Sequence, residues 1–110
     1  MFNLTHEKCV ACRADAPVVT DQEVAKLHPQ VPDWRLFVED GIRKLERTYR
    51  FRDFAQALAF TNAVGALAEE EGHHPDIHLA WGKVRVTIWT HKIDGLTRSD
   101  FVLAAKLDRV

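Results

Sequence analysis

Hydrophobic and polar residues alternate along two pairs of short segments, as they do in strands that are buried on one face. The first pair, residues 34–38 and 42–51, is separated by Glu39-Asp40-Gly41, and its Asp-Gly step suits a tight turn. The second pair, residues 77–81 and 84–91, is separated by Gly82-Lys83. The sequence therefore predicts two antiparallel hairpins.

Three segments begin with a helix start signal, in which a capping side chain precedes an acidic or amide residue by three positions. The signals stand at Thr20, Asp53 and Thr97, and Gly72 is a natural end for the second helix. The apolar stripe predicted for that long helix comprises Phe54, Leu58, Thr61, Val64, Gly65, Leu67 and Ala68.

The predicted order of elements is α-β-β-α-β-β-α. This order favours the α+β class, with a four-stranded antiparallel sheet and the helices packed on one face. The length of 110 residues fits one domain over residues 1–110, of which residues 1–30 would form an N-terminal extension with a short helix.

Composition and charge narrow the classes of function. With 46% hydrophobic and 28% charged residues the chain has the composition of a soluble globular protein. Fifteen basic against sixteen acidic residues give a net charge of −1, so we expect no direct nucleic-acid partner. No apolar run approaches a membrane span and residues 1–15 lack the apolar centre of a signal peptide, so we expect a cytoplasmic protein without membrane contact.

Four of the six histidines, namely His73, His74, His78 and His91, lie within nineteen residues. The second hairpin runs back on itself, so His91 is predicted to return beside His73 and His74. Imidazole has an unperturbed pKa of about 6.5 and can both donate and accept a proton near neutral pH. The alternative is a set of histidines satisfied by backbone groups, and we retain that interpretation for His78.

Zinc is the competing interpretation of this cluster, because His73, His74 and His91 with Glu69 would supply enough ligands for a metal-binding site or sensor. Adjacent His73 and His74 tend to point in different directions, however, and no His-Glu-x-x-His pattern is present. We therefore predict no metal.

A second group of possible ligands, His6, Cys9 and Cys12, is spaced like half of a zinc knuckle. No second Cys-x-x-Cys completes it. We expect reduced thiols in a flexible or loosely docked N-terminal segment.

Most of the chain resembles the signature of the pterin-4a-carbinolamine dehydratases. The resemblance extends from about residue 32 to the C-terminus. The residues that carry it are Trp34, Phe51, Phe54, Glu69, His73, His74, Pro75, Trp81, Thr90, His91, Gly95, Leu96 and Asp100.

The resemblance implies dehydration of a 4a-hydroxytetrahydropterin to the quinonoid dihydropterin, which recycles the pterin of aromatic amino-acid hydroxylases without a metal or organic cofactor. His73 and His91 match the acid–base pair of the family, and His74 matches a catalytic-site histidine that mainly holds the substrate. The family also implies a homodimer or homotetramer, which would form through sheet edges or the long helix.

Three further residues match substrate-site positions of the family. Glu69 is expected to orient a histidine and favour its charged form. Trp34 is expected to stack on the pterin, although a core tryptophan would look the same in sequence. Asp100 has capping-box spacing, which gives it a structural role as well.

Departures from the animal pattern leave the details of substrate anchoring and the physiological pterin open. Ile77 and Ser99 replace a Trp and an Arg of the animal members, and Arg98 lies one position earlier. Some relatives of this fold act instead as a dimerisation partner of a homeodomain transcription factor or as an assembly chaperone of a carbon-fixing enzyme. The complete histidine set favours the enzyme.

Overall fold

The computed structural model describes residues 4–7 and 17–110, and in these residues the elements follow one another in the predicted order. Short turns of 3-10 helix at Leu4–His6 and His28–Gln30 are added to them. The helices and strands are α1 Asp21–Leu27, β1 Arg35–Glu39, β2 Ile42–Arg50, α2 Phe54–Glu71, β3 Asp76–Ala80, β4 Lys83–Ile88 and α3 Arg98–Leu107.

The four strands form one antiparallel sheet in the order β1-β2-β4-β3. Each hairpin is closed by its own turn, and the two hairpins meet where β2 pairs with β4. The first turn has positive φ angles at both Asp40 (54°) and Gly41 (77°), the conformation that a two-residue hairpin turn favours. The predicted antiparallel hairpins are confirmed.

One face of the sheet is apolar and covered by the helices. Leu45, Val84 and Val86 are fully buried on that face, in one core with Val64 of α2 and Phe101 of α3. The opposite face carries mostly polar side chains, together with the half-buried Phe37 and Trp89. The α+β fold with helices on one face is confirmed. None of the helices in the described residues is long and apolar enough to span a membrane.

The face that α2 turns to the sheet differs from the predicted stripe. Phe54 is 43% exposed and Leu58 is 40% exposed, so their predicted burial is wrong for this chain. The buried residues of α2 are Ala57, Val64 and Ala68. Small side chains at two of these three positions let the helix lie close to the sheet, while Phe60 and Leu67 pack against the core from the flanks of this face.

The first residues of the chain contribute to the core. Leu4 is buried against α3, and Glu7 makes a two-pronged ion pair with Arg98 at 2.7 Å. The expectation of a loosely docked N-terminal segment is therefore wrong for residues 4–7, because an apolar anchor and a bidentate ion pair hold them. Cys9 and Cys12 lie outside the described residues.

Candidate active site

The end of α2 positions two of the histidines. Gly72 adopts the left-handed conformation (φ 64°) that closes a helix, and the backbone N–H of His73 donates to the carbonyl of Ala68 at 3.1 Å. After this cap the backbone leaves the helix and enters β3 at Asp76. His73 and His74 therefore project from a rigid helix end.

His73 is held by a carboxylate from α3. Its Nε2 lies 2.6 Å from Oδ1 of Asp100, a residue with no exposed surface. The other oxygen of Asp100 accepts the Thr90 hydroxyl at 2.9 Å and the backbone N–H of Thr97 at 2.8 Å. Because a carboxylate only accepts hydrogen bonds, Nε2 of His73 is the donor and the orientation of the ring is fixed.

His74 is held by the other carboxylate of the motif. Its Nε2 lies 2.7 Å from Oε1 of Glu69, and both side chains are exposed. Glu69 thus contacts the second histidine of the pair and Asp100 contacts the first. An exposed pair of this kind is weak, since water and salt screen it.

His91 follows the end of β4. The backbone N–H of Thr90 donates to the carbonyl of Gly95 at 2.9 Å, which closes the intervening loop. The His91 ring packs on Trp89, with 4.1 Å between the ring centroids. In the part of the chain that the structure describes, no hydrogen bond or ion pair holds this ring.

The three histidines line one open cleft of about 300 Å³ between the end of α2 and the loop after β4. This volume is at the lower end of ligand sites and suits a small flat molecule. The cleft is lined by Gly72, His73, His74, Trp89, Thr90, His91 and Lys92. It combines three imidazoles with one aromatic face.

Comparison with known protein families shows to which family a chain with this cleft belongs. Residues 17–110 match the family described as pterin 4 alpha carbinolamine dehydratase. The chain belongs to that family. The resemblance and the enzyme class predicted from the motif, a hydro-lyase, are confirmed.

Similar proteins support the assignment over nearly the whole chain. A protein of Syntrophotalea carbinolica is 56% identical over 98% of this chain and 96% of its own length. A protein of Nitrosococcus oceani is 53% identical over 100% of this chain and 97% of its own length. Both bear the name "Putative pterin-4-alpha-carbinolamine dehydratase".

Two solved structures resemble the fold. A transcriptional coactivator/pterin dehydratase from Brucella melitensis has a TM-score of 0.75 and 29% identity, covering 84% of this chain and 97% of its own. A pterin dehydratase-like protein identified as a RuBisCO assembly factor in the alpha-carboxysome has a TM-score of 0.60 and 29% identity, covering 70% and 87%. The fold thus occurs in proteins with different roles.

None of the three residues that the family signature assigns to the substrate site, Glu69, Trp34 and Asp100, lines the cleft, and Glu69 reaches it only through His74. Trp34 is 1% exposed, and its indole N–H donates to Oδ1 of Asp108 at 2.8 Å. Its ring meets Tyr49 edge-on in the core. Asp100 is connected to the cleft through two residues that line it, His73 and Thr90. In this family member, burial leaves neither Trp34 nor Asp100 a free surface toward the cleft.

The departures from the animal pattern also lie outside the cleft lining. Ile77 packs against the core, Ser99 is buried, and Arg98 is bound to Glu7. Trp89 and Lys92, which do line the cleft, were not among the residues selected from the sequence. The available signal for Trp89 was its position two residues before His91, on the same side of the strand.

The described residues contain no group of three or more His, Cys, Asp or Glu side chains arranged to hold a metal ion. His73 and His74 are each engaged with a carboxylate of a different element. His78 is exposed on β3 and does not line the cleft.

Proposed function

We propose that this protein removes water from a 4a-hydroxytetrahydropterin and releases the quinonoid dihydropterin, with the cleft histidines as acid and base. The observation that carries the proposal is that three imidazoles, supplied by a helix end and a strand end, line one cleft. The family to which the chain belongs carries out this class of reaction.

The chemistry needs two proton transfers. The C4a–O bond breaks while one imidazole protonates the departing hydroxyl, which leaves as water, and another imidazole removes the proton on N5. We assign these two transfers to His73 and His91, which enter the cleft from different elements. The elimination is redox-neutral, so it requires no electron acceptor and the proposal includes no cofactor.

The remaining residues of the site have supporting roles in this proposal. His74, on the exposed side of the cleft, holds the substrate and is itself oriented by Glu69. Asp100 fixes the ring of His73. The aromatic residue that lines the cleft is Trp89 rather than Trp34, which is enclosed in the core, and the Trp89 ring supports the ring of His91.

We also infer that the protein is a homo-oligomer. Phe54 and Leu58 form an exposed apolar patch on the outer side of α2, and Trp81, at the β3–β4 turn, is largely exposed. Exposed apolar surface of this kind and unpaired edge strands favour association. The RuBisCO assembly factor shows that the fold also serves assembly, but the complete histidine set favours the enzyme here.

A stopped-flow assay with enzymically generated 4a-hydroxytetrahydropterin tests the proposal. The wild-type protein should accelerate formation of the quinonoid product above the rate in buffer, and a variant that lacks both His73 and His91 should not. A wild-type rate equal to that of buffer would contradict the proposed function.

A further inference from the structure

The three cleft imidazoles are held in different ways. His73 and His74 each contact a carboxylate, whereas the ring contact of His91 is with the indole of Trp89. The planes of these two rings are inclined by 37°. The orientation of His91 therefore depends on what holds Trp89.

Trp89 is held by a lysine of the neighbouring strand. Leu45 of β2 pairs with Ile88 of β4, so Lys44 and Trp89 are opposite each other on the outer face of the sheet. The Lys44 ammonium lies 4.1 Å from the centroid of the Trp89 ring. A cation over an indole face is an attractive contact that is strengthened when water is excluded.

Lys44 is in turn held by an acid on β1. Its ammonium donates to Oε1 of Glu39 at 2.8 Å. This hydrogen bond, together with the charge of Lys44, holds the pKa of Glu39 below its ordinary value, so the carboxylate of Glu39 is ionised at neutral pH. Contacts thus run without a break from Glu39 through Lys44 and Trp89 to His91.

The burial of Lys44 distinguishes it from an ordinary surface lysine. The residue is 7% exposed, although lysine is rarely buried unless it is paired. Lys44 does not line the cleft, and its contact with Trp89 connects it to a residue that does. A purely structural role would be served equally well by an apolar side chain of the same length.

We propose that Lys44 is a positioning residue of the dehydratase: it fixes the indole of Trp89, which in turn fixes the imidazole of His91. The proposal rests on the acid–base role proposed above for His91. Because catalytic groups must be held near their reactive geometry, loss of this support should lower kcat more than it changes KM.

Lys44→Met removes the cation and keeps the length of the side chain. We expect kcat to fall by roughly tenfold with KM changed less than about threefold, since Lys44 does not touch the cleft. Lys44→Arg restores a cation that can lie over an indole and should recover most of kcat. This rescue would not be expected if Lys44 merely filled space.

Arg35→Met is the matched control. Arg35 lies over the Phe37 ring at 4.4 Å on the same face of the sheet and is paired with Glu46 at 3.1 Å. It is therefore a cation–aromatic contact on the same face, more exposed than that of Lys44 and without a link to the cleft. Its loss should leave kcat and KM unchanged.

NMR of the imidazole ring of His91 separates this proposal from the proposed function. The signals, assigned by their loss in His91→Gln, should be shifted by the neighbouring indole in wild type and in Lys44→Arg. They should move toward the position of a free imidazole in Lys44→Met. If dehydratase activity is absent from the wild type, the proposed function fails and this spectrum still decides whether Lys44 positions His91.

Unchanged His91 signals in Lys44→Met would overturn the proposal, and so would an unchanged kcat in an active enzyme. Circular dichroism establishes whether each variant folds. If Lys44→Met does not fold, Glu39→Gln carries the same test, because it removes the charge that holds the ammonium in place. Glu39→Gln should then shift the His91 signals in the same direction, and unchanged signals would overturn the proposal.

Discussion

Nε2 of His73 lies 2.6 Å from Oδ1 of Asp100, and this buried contact ties the end of α2 to the start of α3. The same carboxylate accepts from Thr90, the residue before His91. One acidic side chain therefore connects the two segments that carry the proposed acid–base pair. A change at Asp100 should affect both the geometry of the cleft and the stability of the fold.

Asp100→Asn tests this connection. The carboxylate accepts hydrogen bonds from His73, Thr90 and Thr97, and an amide would turn its NH₂ toward at least one of these donors. We expect kcat to fall about 10- to 100-fold, as for other residues that orient a functional histidine. We also expect the free energy of unfolding to fall by about 1–3 kcal/mol.

Asp94→Asn is the control for loss of one acidic charge near His91. Asp94 is exposed in the loop after His91 and has a positive φ of 49°, which asparagine tolerates. Steady-state kinetics and urea unfolding should show wild-type values for this variant. An Asp100→Asn enzyme with unaltered kcat would show that the carboxylate does not support the reaction.

His74→Ala should raise KM more than it lowers kcat, because His74 is proposed to hold the substrate. Glu69→Gln should have a smaller effect in the same direction, since an exposed ion pair contributes about 0–1 kcal/mol. Initial-rate measurements over a range of pterin concentrations separate the two constants. A loss in kcat alone would assign His74 to proton transfer.

Tyr49, the single tyrosine of the chain, predicts a pH dependence. Burial, followed by the charge of Asp108 and the hydrogen bond to it, raises the pKa of Tyr49 well above its usual value. The phenol therefore stays neutral in the folded protein while it ionises near pH 10 in the unfolded chain. Its contribution to stability is complete below pH 10 and is lost as the pH rises above it.

The absorbance of the tyrosinate ion measures the ionisation of Tyr49 directly. The folded protein should show no tyrosinate near pH 10, whereas the protein in guanidinium chloride should titrate there. The free energy of unfolding should also fall less between pH 10 and 12 in Tyr49→Phe than in wild type. Ionisation of the folded protein near pH 10 would contradict the assigned environment.

Phe54→Glu combined with Leu58→Glu tests the oligomer. Charges on the exposed apolar patch of α2 should shift the protein toward monomer in light scattering at micromolar concentration, because the buried charges would be costly. Val110→Glu, at another exposed apolar residue, should leave the assembly unchanged. A monomeric wild-type protein would contradict the inference that the protein is a homo-oligomer.

Local signals predicted much of the fold and the position of the cleft. Thr20 with Glu23 forms the predicted capping box, and Gly72 ends α2 in the left-handed conformation. The second hairpin brings His91 toward His73, as the turn at Gly82 required. These features depend on a few neighbouring residues, so the sequence reveals them.

Features that depend on packing between segments distant in sequence could not be predicted from local sequence patterns. The helical spacing of apolar residues in α2 fits burial of the face with Phe54 as well as burial of the face with Ala57. The face with Ala57 is the buried one because it packs closely on the sheet. The contact between Lys44 and Trp89 requires the pairing of β2 with β4, which no local pattern indicates. Non-neighbouring strands are matched only by the fold as a whole.

The kcat values of His73→Ala and His91→Ala test the central claim most directly. His78→Ala, an exposed histidine outside the cleft, is the control. Each cleft substitution should lower kcat by roughly 10²- to 10⁴-fold in the stopped-flow assay while the fold stays intact, and the control should not. Wild-type kcat and KM in both cleft variants would contradict acid–base catalysis by these histidines.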